Sequence, residues 1–293
     1  MDAIPYDFID RVFTKLDETD HKTIKAKAPL WMDAARTYKR KLEVFHLEII
    51  YASSGLHYKC TSHRSVTLEE LLDEDDRFIR FKTLRIYEGS DHRLHPVEDL
   101  SKLLEFVSRF TVNDLRITLA HANQQLMDEC VKHGLRTNLL QLSYFCGAEQ
   151  FLENQLKSEE LTHLDLNGDF PLRLKDDIVV FACRPKLRYL ECAFNCLDMD
   201  CLKRIVTYWR ATETPWNTSK ITLRPGHCLS DQLGSWLTEV PERYPPQFTE
   251  EIGNYRLLVS CCGFGGFDVL QFGLKSAFTV PSVRISLLER FLM

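Results

Sequence analysis

Cysteine and histidine are the side chains of this chain best suited to bind a metal, and its 293 residues include ten of each. One group of cysteines, with a histidine upstream, is close enough in sequence to suggest zinc: Cys183, Cys192, Cys196, Cys201 and His163. The cysteine spacings of 9, 4 and 5 residues lack the closely spaced pair that zinc sites normally use. We therefore expect no metal and interpret the cysteines as free thiols that fill the core, with a zinc site as the alternative.

Catalytic and nucleotide-binding motifs are absent from the sequence. The glycine-rich segment Gly263–Gly266 lacks the last glycine of a dinucleotide-binding loop, since Asp268 occupies that position. No Gly-x-Ser-x-Gly, His-Glu-x-x-His or Gly-x-x-x-x-Gly-Lys-Ser/Thr motif occurs. The sequence therefore favours a protein that is not an enzyme and needs no cofactor.

Composition and charge limit the classes of partner. The chain has 37 Lys and Arg against 42 Asp and Glu, a net charge of -5 that does not favour nucleic acid. The longest uninterrupted apolar run, Ile178 to Cys183, is far shorter than the ~18 residues of a membrane span. The first ten residues contain no apolar signal core. We expect a cytoplasmic or nuclear protein with reduced thiols and no membrane partner.

Six segments share an alternating apolar pattern close to Leu-x-x-Leu-x-Leu. Their central apolar residues are Leu84, Leu115, Leu140, Leu164, Leu190 and Ile221, at intervals of 24 to 31 residues. Both the pattern and the interval are typical of leucine-rich repeats. Between these segments, and again from Leu233 to Val240, apolar residues recur at helical spacing. The sequence predicts an α/β fold, a leucine-rich-repeat-like solenoid of strand–helix repeats over residues 80–244, with an unrelated α/β sandwich as the alternative.

Three segments flank the predicted solenoid. Residues 1–40 are predicted to form a small all-helical segment, because Pro5 starts a stripe of apolar residues at helical spacing. Residues 41–79 are predicted to form a capping hairpin and connector, since apolar residues alternate on both sides of the turn at Ser54 and Gly55. Residues 245–293 are predicted to be C-terminal capping strands that cover the last repeat.

The residues between the apolar positions of each predicted strand should lie on one exposed face. Mixed charge with Tyr and Arg is typical of protein-binding surfaces. We therefore predict that this face binds a protein substrate through Arg85, Tyr87, Arg116, Gln141, His163, Asp165, Asn167, Tyr189, Glu191 and Arg224.

The N-terminal segment carries a resemblance to a known family. From Ile4 to Leu16 the sequence resembles the start of an F-box, with an apolar residue and proline, an acid two positions later, and then apolar pairs. Ile24, Leu30 and Trp31 resemble the later apolar positions and the tryptophan of that motif. Together with the repeat at residues 161–166, the chain resembles the expanded nematode family of F-box-like proteins with divergent repeat regions.

The resemblance implies a substrate receptor of a cullin (SCF-type) ubiquitin ligase. In such receptors the F-box helices bind a Skp-type adaptor and the C-terminal region recruits a target protein. The adaptor contacts that the resemblance transfers to this sequence are Ile4, Pro5, Phe8, Ile9, Val12, Phe13, Leu16 and Trp31. The alternative is a repeat-type interaction scaffold without a ligase, in which the N-terminal helices only cap the solenoid.

Overall fold

The computed structural model describes most of the chain up to residue 211 and separate strands beyond it. The described residues are 12–13, 29–90, 94–119, 124–193, 199–211, 220–223, 238–239, 247–252, 255–264 and 267–276. They have a mixed α/β fold in which the strands form an open arrangement that is not closed into a barrel. The chain divides into two compact units, residues 1–164 and 165–293.

The first unit alternates strands with short helices. Residues Val12 and Phe13 are helical. The elements that follow are α1 (Pro29–Lys41), β1 (Glu43–Ala52), β2 (Gly55–Thr61), β3 (Ser65–Val66), α2 (Leu68–Leu72), β4 (Ile79–Glu88), β5 (His95–Pro96), α3 (Leu100–Ser108), β6 (Thr111–Thr118), α4 (Gln124–Lys132), β7 (Arg136–Ser143) and α5 (Ala148–Lys157). Strand β8 (His163–Asn167) includes residues on both sides of the division.

The sheet of the first unit has the strand order β3-β2-β1-β4-β6-β7. Strands β1, β4, β6 and β7 pair in parallel, whereas β2 is antiparallel to β1. Helix α3 connects β4 to β6, and α4 connects β6 to β7. Because such crossovers are right-handed, consecutive helices lie on the same face of a parallel sheet. The opposite face is left for polar side chains.

Alternation of side chains, interrupted once in each parallel strand, produces the core of this unit. Buried apolar residues recur on one face of each parallel strand, and the helices contribute their own apolar stripes. The strand residues of this core are Phe45, Leu47, Ile49, Phe81, Leu84, Ile86, Leu115, Ile117, Leu140 and Leu142. The helix residues are Leu103, Leu104, Phe106, Val107, Leu126, Met127, Cys130, Phe151, Leu152 and Leu156.

The hairpin predicted around residue 54 is confirmed. Strands β1 and β2 pair from His46–Thr61 to Ala52–Gly55, which leaves Ser53 and Ser54 as a two-residue turn. Gly55 has a φ of 122°, a backbone conformation that residues with a Cβ rarely adopt. The sequence therefore supplies the turn with the residue that its backbone requires.

The acidic segment after β3 forms the short helix α2. Thr67 caps its N-terminus, where the Thr67 side chain accepts a hydrogen bond from the Glu70 N–H at 3.2 Å. The Glu70 carboxylate in turn accepts one from the Thr67 N–H at 2.9 Å. This reciprocal capping box stabilises a helix that is too short to form by propensity alone.

The second unit continues with helices and then changes to antiparallel strands. Its elements are α6 (Lys175–Ala182), β9 (Tyr189–Ala193), α7 (Met199–Ala211), β10 (Lys220–Leu223), β11 (Thr238–Glu239), β12 (Gln247–Ile252), β13 (Tyr255–Phe264) and β14 (Phe267–Ser276). Strands β9 and β10 are parallel, and β14 pairs antiparallel with β10. Strands β11 to β14 pair antiparallel in sequence order. A closing hairpin at β13 and β14 agrees with the predicted C-terminal strands.

All six predicted repeat strands are confirmed as strands, and five of the six predicted helices fall on α3 to α7. The sixth prediction, a helix from Leu233 to Val240, is wrong at Thr238 and Glu239, which form β11. These two residues pair with Phe248 and Thr249 of β12, so backbone pairing with the next strand overrides the local helical spacing. Residues 233–237 and 240 lie outside the described residues.

Candidate functional site

A row of polar side chains crosses the sheet of the first unit. The strand register places Glu48 of β1 opposite Arg85 of β4, Arg85 opposite Arg116 of β6, and Arg116 opposite Gln141 of β7. Lys59 of β2 lies opposite Glu48 on the other side. We call these five residues the polar row. Since their neighbours along each strand point into the core, the five side chains share the exposed face.

Two ion pairs shape the electrostatics of this face, and they differ in geometry. Arg116 forms a fork with Asp114 of the same strand, with Nη2 donating to Oδ2 at 2.7 Å and Nε donating to Oδ1 at 3.1 Å. Arg85 Nη1 lies 3.9 Å from Glu48 Oε1, which is too far for a hydrogen bond. Arg116 is therefore held by a charge-assisted fork, whereas Arg85 has a loose ionic contact.

The hydroxyl of Tyr87 faces the same carboxylate. It donates to Glu48 Oε2 at 3.4 Å. Burial raises the pKa of Tyr87 above its ordinary value of 10.0, and the negative charge of Glu48 raises it further. Tyr87 therefore remains a neutral hydrogen-bond donor at physiological pH. On β1, on the same face as Glu48, His46 Nδ1 lies 2.8 Å from Oγ1 of Thr83 on β4.

The structure brings together four of the predicted substrate-face residues. Arg85, Tyr87, Arg116 and Gln141 lie on one face of the first unit within two adjacent register rows. His163 is half-buried at the start of β8, with Nδ1 2.8 Å from Thr162 Oγ1. No substrate contact has been tested at these positions, so their role remains a prediction.

The other predicted face residues belong to the second unit. Asp165 and Asn167 are half-buried on β8, where Asn167 Nδ2 donates to Asp165 Oδ1 at 3.3 Å. Tyr189 and Glu191 are half-buried on β9, and the Tyr189 hydroxyl donates to the Glu191 carboxylate. Arg224 lies outside the described residues.

Sequence reasoning missed Glu48 and Lys59, because it treated β1 and β2 as a cap rather than as part of the polar face. Parallel pairing of β1 with β4 extends the face by two strands. The missed signal is the alternation in Glu43–Ala52 itself. It places Glu48 on one face of β1 and the buried Leu47 and Ile49 on the other face.

Most of the predicted adaptor contacts lie outside the described residues, namely Ile4, Pro5, Phe8, Ile9 and Leu16. Val12 is half-buried and helical. Phe13 is fully buried and packs with the half-buried Trp31, at 5.9 Å between ring centroids. Their role in adaptor binding is untested, and contact through Phe13 requires that it leave this packing.

Phe13 belongs to an aromatic cluster that we define as Phe13, Trp31, Tyr38 and Phe78. Tyr38 lies at its centre, 5.4 Å from Phe13 and 5.0 Å from Phe78 between ring centroids. On α1, Trp31 and Tyr38 share one helical stripe with Ala34 and Ala35. The cluster therefore joins Phe13 and α1 to the 3₁₀ helix Asp76–Phe78 that precedes β4.

One serine, histidine and glutamate meet between α3 and α4, and their geometry argues against catalysis. Ser101 Oγ lies 2.8 Å from His133 Nε2, and Glu129 Oε2 lies 3.1 Å from the same nitrogen. In a catalytic triad the carboxylate binds the other ring nitrogen and thereby orients the imidazole. This group therefore fastens two helices together rather than activating a nucleophile.

Four of the six cysteines whose side chains the structure describes are buried. Burial raises the pKa of the Cys60 thiol, and that of Cys130, from 9.0 to about 12. Cys192 and Cys201 are also buried, whereas Cys146 is exposed. Within the described residues no group of three or more His, Cys, Asp or Glu side chains is arranged to hold a metal ion. Cys196, one of the residues weighed for zinc, lies outside them.

These thiols predict a reactivity order. At about pH 8, iodoacetamide should modify Cys146 before Cys60 and Cys130, because only the thiolate reacts and Cys60 and Cys130 stay protonated. The same raised pKa predicts a pH dependence of stability. Because thiols of the unfolded chain ionise at lower pH than these buried ones, the free energy of unfolding should fall as pH rises from 9.0 towards 12. Peptide mass mapping checks the order, and equally fast modification of Cys60 in the folded chain would contradict it.

The described fold and face define a mixed α/β protein with an open sheet, one face of which is polar and accessible. No protein-family model matches the chain, and no curated protein matches it either. Among the described helices none has the length and apolar character needed to cross a bilayer.

Proposed function

We propose that the chain is a non-catalytic, F-box-like substrate receptor. Its N-terminal segment binds a Skp-type adaptor of a cullin ubiquitin ligase, and its sheet face captures a target protein. The strand–helix repeats form a leucine-rich-repeat-like solenoid, in which the polar face is the binding surface. Its mechanism is proximity, since the receptor holds a target near an associated ligase and performs no bond chemistry.

The observation that carries the proposal is the polar row. Arg, Gln, Glu and Lys side chains occupy corresponding positions on five adjacent strands, and Tyr87 lies one row away. The backbone of the sheet fixes the spacing between these polar groups, so less order has to be created when a partner binds. Such a surface suits recognition of a protein better than enclosure of a small molecule.

The N-terminal stripe supports the adaptor part of the proposal. Short amphipathic helices are marginal in isolation, so the apolar residues from Ile4 to Leu16 require burial against another surface. Phe13 is buried by the chain itself, and Val12 is only half-buried. Val12 therefore retains surface that an adaptor can cover.

The adaptor link is tested by calorimetric titration of the full chain with a purified Skp-type adaptor. We expect saturable binding by the wild type and, for Val12→Asp, binding weakened by about tenfold or more, as for a central interface residue. Val180→Asp is the matched control, because Val180 is 59% exposed on α6 and the same charge is introduced there. Absent binding by the wild type, or equal binding by Val12→Asp, would overturn the proposal.

A specific observation favours a second candidate, the interaction scaffold without a ligase. Phe13 is 0% exposed and packs in the aromatic cluster with Tyr38 and Phe78, as expected for a helix that caps its own domain. Under this hypothesis the polar face still binds a protein. The N-terminal segment then remains in its intramolecular packing, and the chain does not bind the adaptor.

A further inference from the structure

The polar row contains a like-charge pair at its centre. Arg85 and Arg116 lie directly opposite each other on adjacent parallel strands, whose backbones are about 4.8 Å apart. Like charges at such positions destabilise a sheet, whereas an opposite charge placed between them stabilises both. The pairing therefore indicates a site at which a bound anion reduces the repulsion between the two guanidinium groups.

The two guanidinium groups differ in how well they are neutralised. Arg116 is held in its fork by Asp114, whose side chain is 18% exposed. Arg85 is 46% exposed, and its one ion pair with a described residue is the 3.9 Å contact with Glu48, which also accepts the Tyr87 hydroxyl. Arg85 therefore keeps its planar set of donors available to an incoming carboxylate, which guanidinium binds with two parallel hydrogen bonds.

The net charge of the polar row and of Asp114 determines which anion charge this site balances. The polar row and Asp114 together contain three cations, Lys59, Arg85 and Arg116, against two carboxylates, which leaves one excess positive charge in this set. A single carboxylate balances this excess. A phosphate group, with a charge of about -1.5 to -2, leaves this set of residues negative.

We propose that the polar row binds an acidic protein segment, with one Asp or Glu carboxylate of that segment on the guanidinium of Arg85. Gln141 and Tyr87 provide flanking polar contacts on the same face. Glu48 competes with the bound carboxylate for Arg85 and so lowers the affinity. This assignment rests on the proposed function of the sheet face as the target-binding surface, and it names the chemistry of the target.

The test is fluorescence anisotropy of the full chain with a labelled peptide of alternating glutamate and alanine. We expect Arg85→Gln to weaken binding about tenfold, the loss of one charge-assisted contact. Glu48→Gln should strengthen binding about threefold, because it removes the competing charge and keeps an acceptor for Tyr87. The opposite signs of these two effects separate recognition from general loss of folding.

Arg109→Gln is the matched control. Arg109 is 51% exposed and has one ion pair, to Asp76 at 3.4 Å, so the variant removes the same charge away from the polar row. We expect it to bind the peptide like the wild type. Equal binding by Arg85→Gln and Arg109→Gln, weaker binding by Glu48→Gln, or no binding by the wild type would overturn the proposal.

Three further probes test the chemical class of the partner. A glutamine–alanine peptide should bind at least about tenfold more weakly than the glutamate peptide, because it offers no charge to Arg85. Tighter binding of a phosphoserine peptide or of a thymidine oligonucleotide, lost in Arg85→Gln, would overturn the assignment to carboxylate. Adaptor titration does not depend on Arg85, so failure here and failure of the ligase proposal are distinguishable.

Discussion

Replacing Phe81 with alanine is expected to lower the free energy of unfolding by about 3–5 kcal/mol. Phe81 is 1% exposed, and its ring lies 5.5 Å from that of Phe110 and 6.1 Å from that of Phe45, between centroids. It also meets Phe106 of α3 edge-on at 6.3 Å. The substitution leaves a cavity between the sheet and α3 and removes three aromatic contacts at once.

Urea denaturation followed by circular dichroism measures this loss. Tyr51→Ala is the control, since Tyr51 is an aromatic residue of β1 in the same sheet and is 41% exposed. That variant should change stability by about 0.5 kcal/mol or less, as surface substitutions usually do. A similar loss for both variants would mean that Phe81 is not part of a packed core.

Replacing Tyr38 with alanine is expected to cost about 3–4 kcal/mol and to detach the N-terminal segment from the sheet. Tyr38 is 1% exposed and lies between Phe13 and Phe78, so its removal separates the two outer rings of the aromatic cluster. Lys41 Nζ lies 5.0 Å from the Phe78 ring centroid at the end of α1 and cannot replace the lost apolar surface.

Tryptophan fluorescence reports on this change in a background in which Trp209, Trp216 and Trp236 are replaced by phenylalanine. The remaining Trp31 packs on Phe13 in the same cluster. In Tyr38→Ala the emission should shift to the red as Trp31 becomes hydrated, with a lower unfolding midpoint. Tyr38→Phe keeps the ring and should cost about 1 kcal/mol or less. An unchanged emission in Tyr38→Ala would show that the cluster does not hold the N-terminal segment.

The strands of this protein are readable from sequence because their signal is local. Alternation of side chains has a period of two, so Leu84 and Ile86 or Leu140 and Leu142 identify a buried strand face from a few residues. The same reasoning correctly placed Arg85, Arg116 and Gln141 on the opposite face. Predicting the face on which these residues lie required no knowledge of which strands are neighbours.

The remaining part of the site depends on pairing between distant segments. Strand β1 joins β4 with a register shift, since Phe45 pairs with Phe81 but His46 pairs with Thr83, which leaves Lys82 as an extra residue. That shift brings Glu48 opposite Arg85. No local pattern specifies it, because it follows from tertiary packing of the whole sheet.

Long-range aromatic packing was equally inaccessible to sequence reasoning. The stripe of α1 indicates that Trp31 and Tyr38 need a partner surface, but it does not name that surface. Phe78 supplies it from the 3₁₀ helix before β4, and Phe13 supplies it from the N-terminal segment. The helix wrongly predicted at Thr238 and Glu239 has the same origin, since pairing with β12 decides the conformation there.

The most direct test of the receptor proposal is hydrogen exchange of the full chain, measured with and without a saturating Skp-type adaptor. The receptor proposal predicts that exchange slows by about tenfold or more in peptides covering residues 4–16, while peptides from β4 and β6 are unchanged. Unchanged exchange at residues 4–16 would contradict the proposal and favour a scaffold whose N-terminal segment serves its own fold.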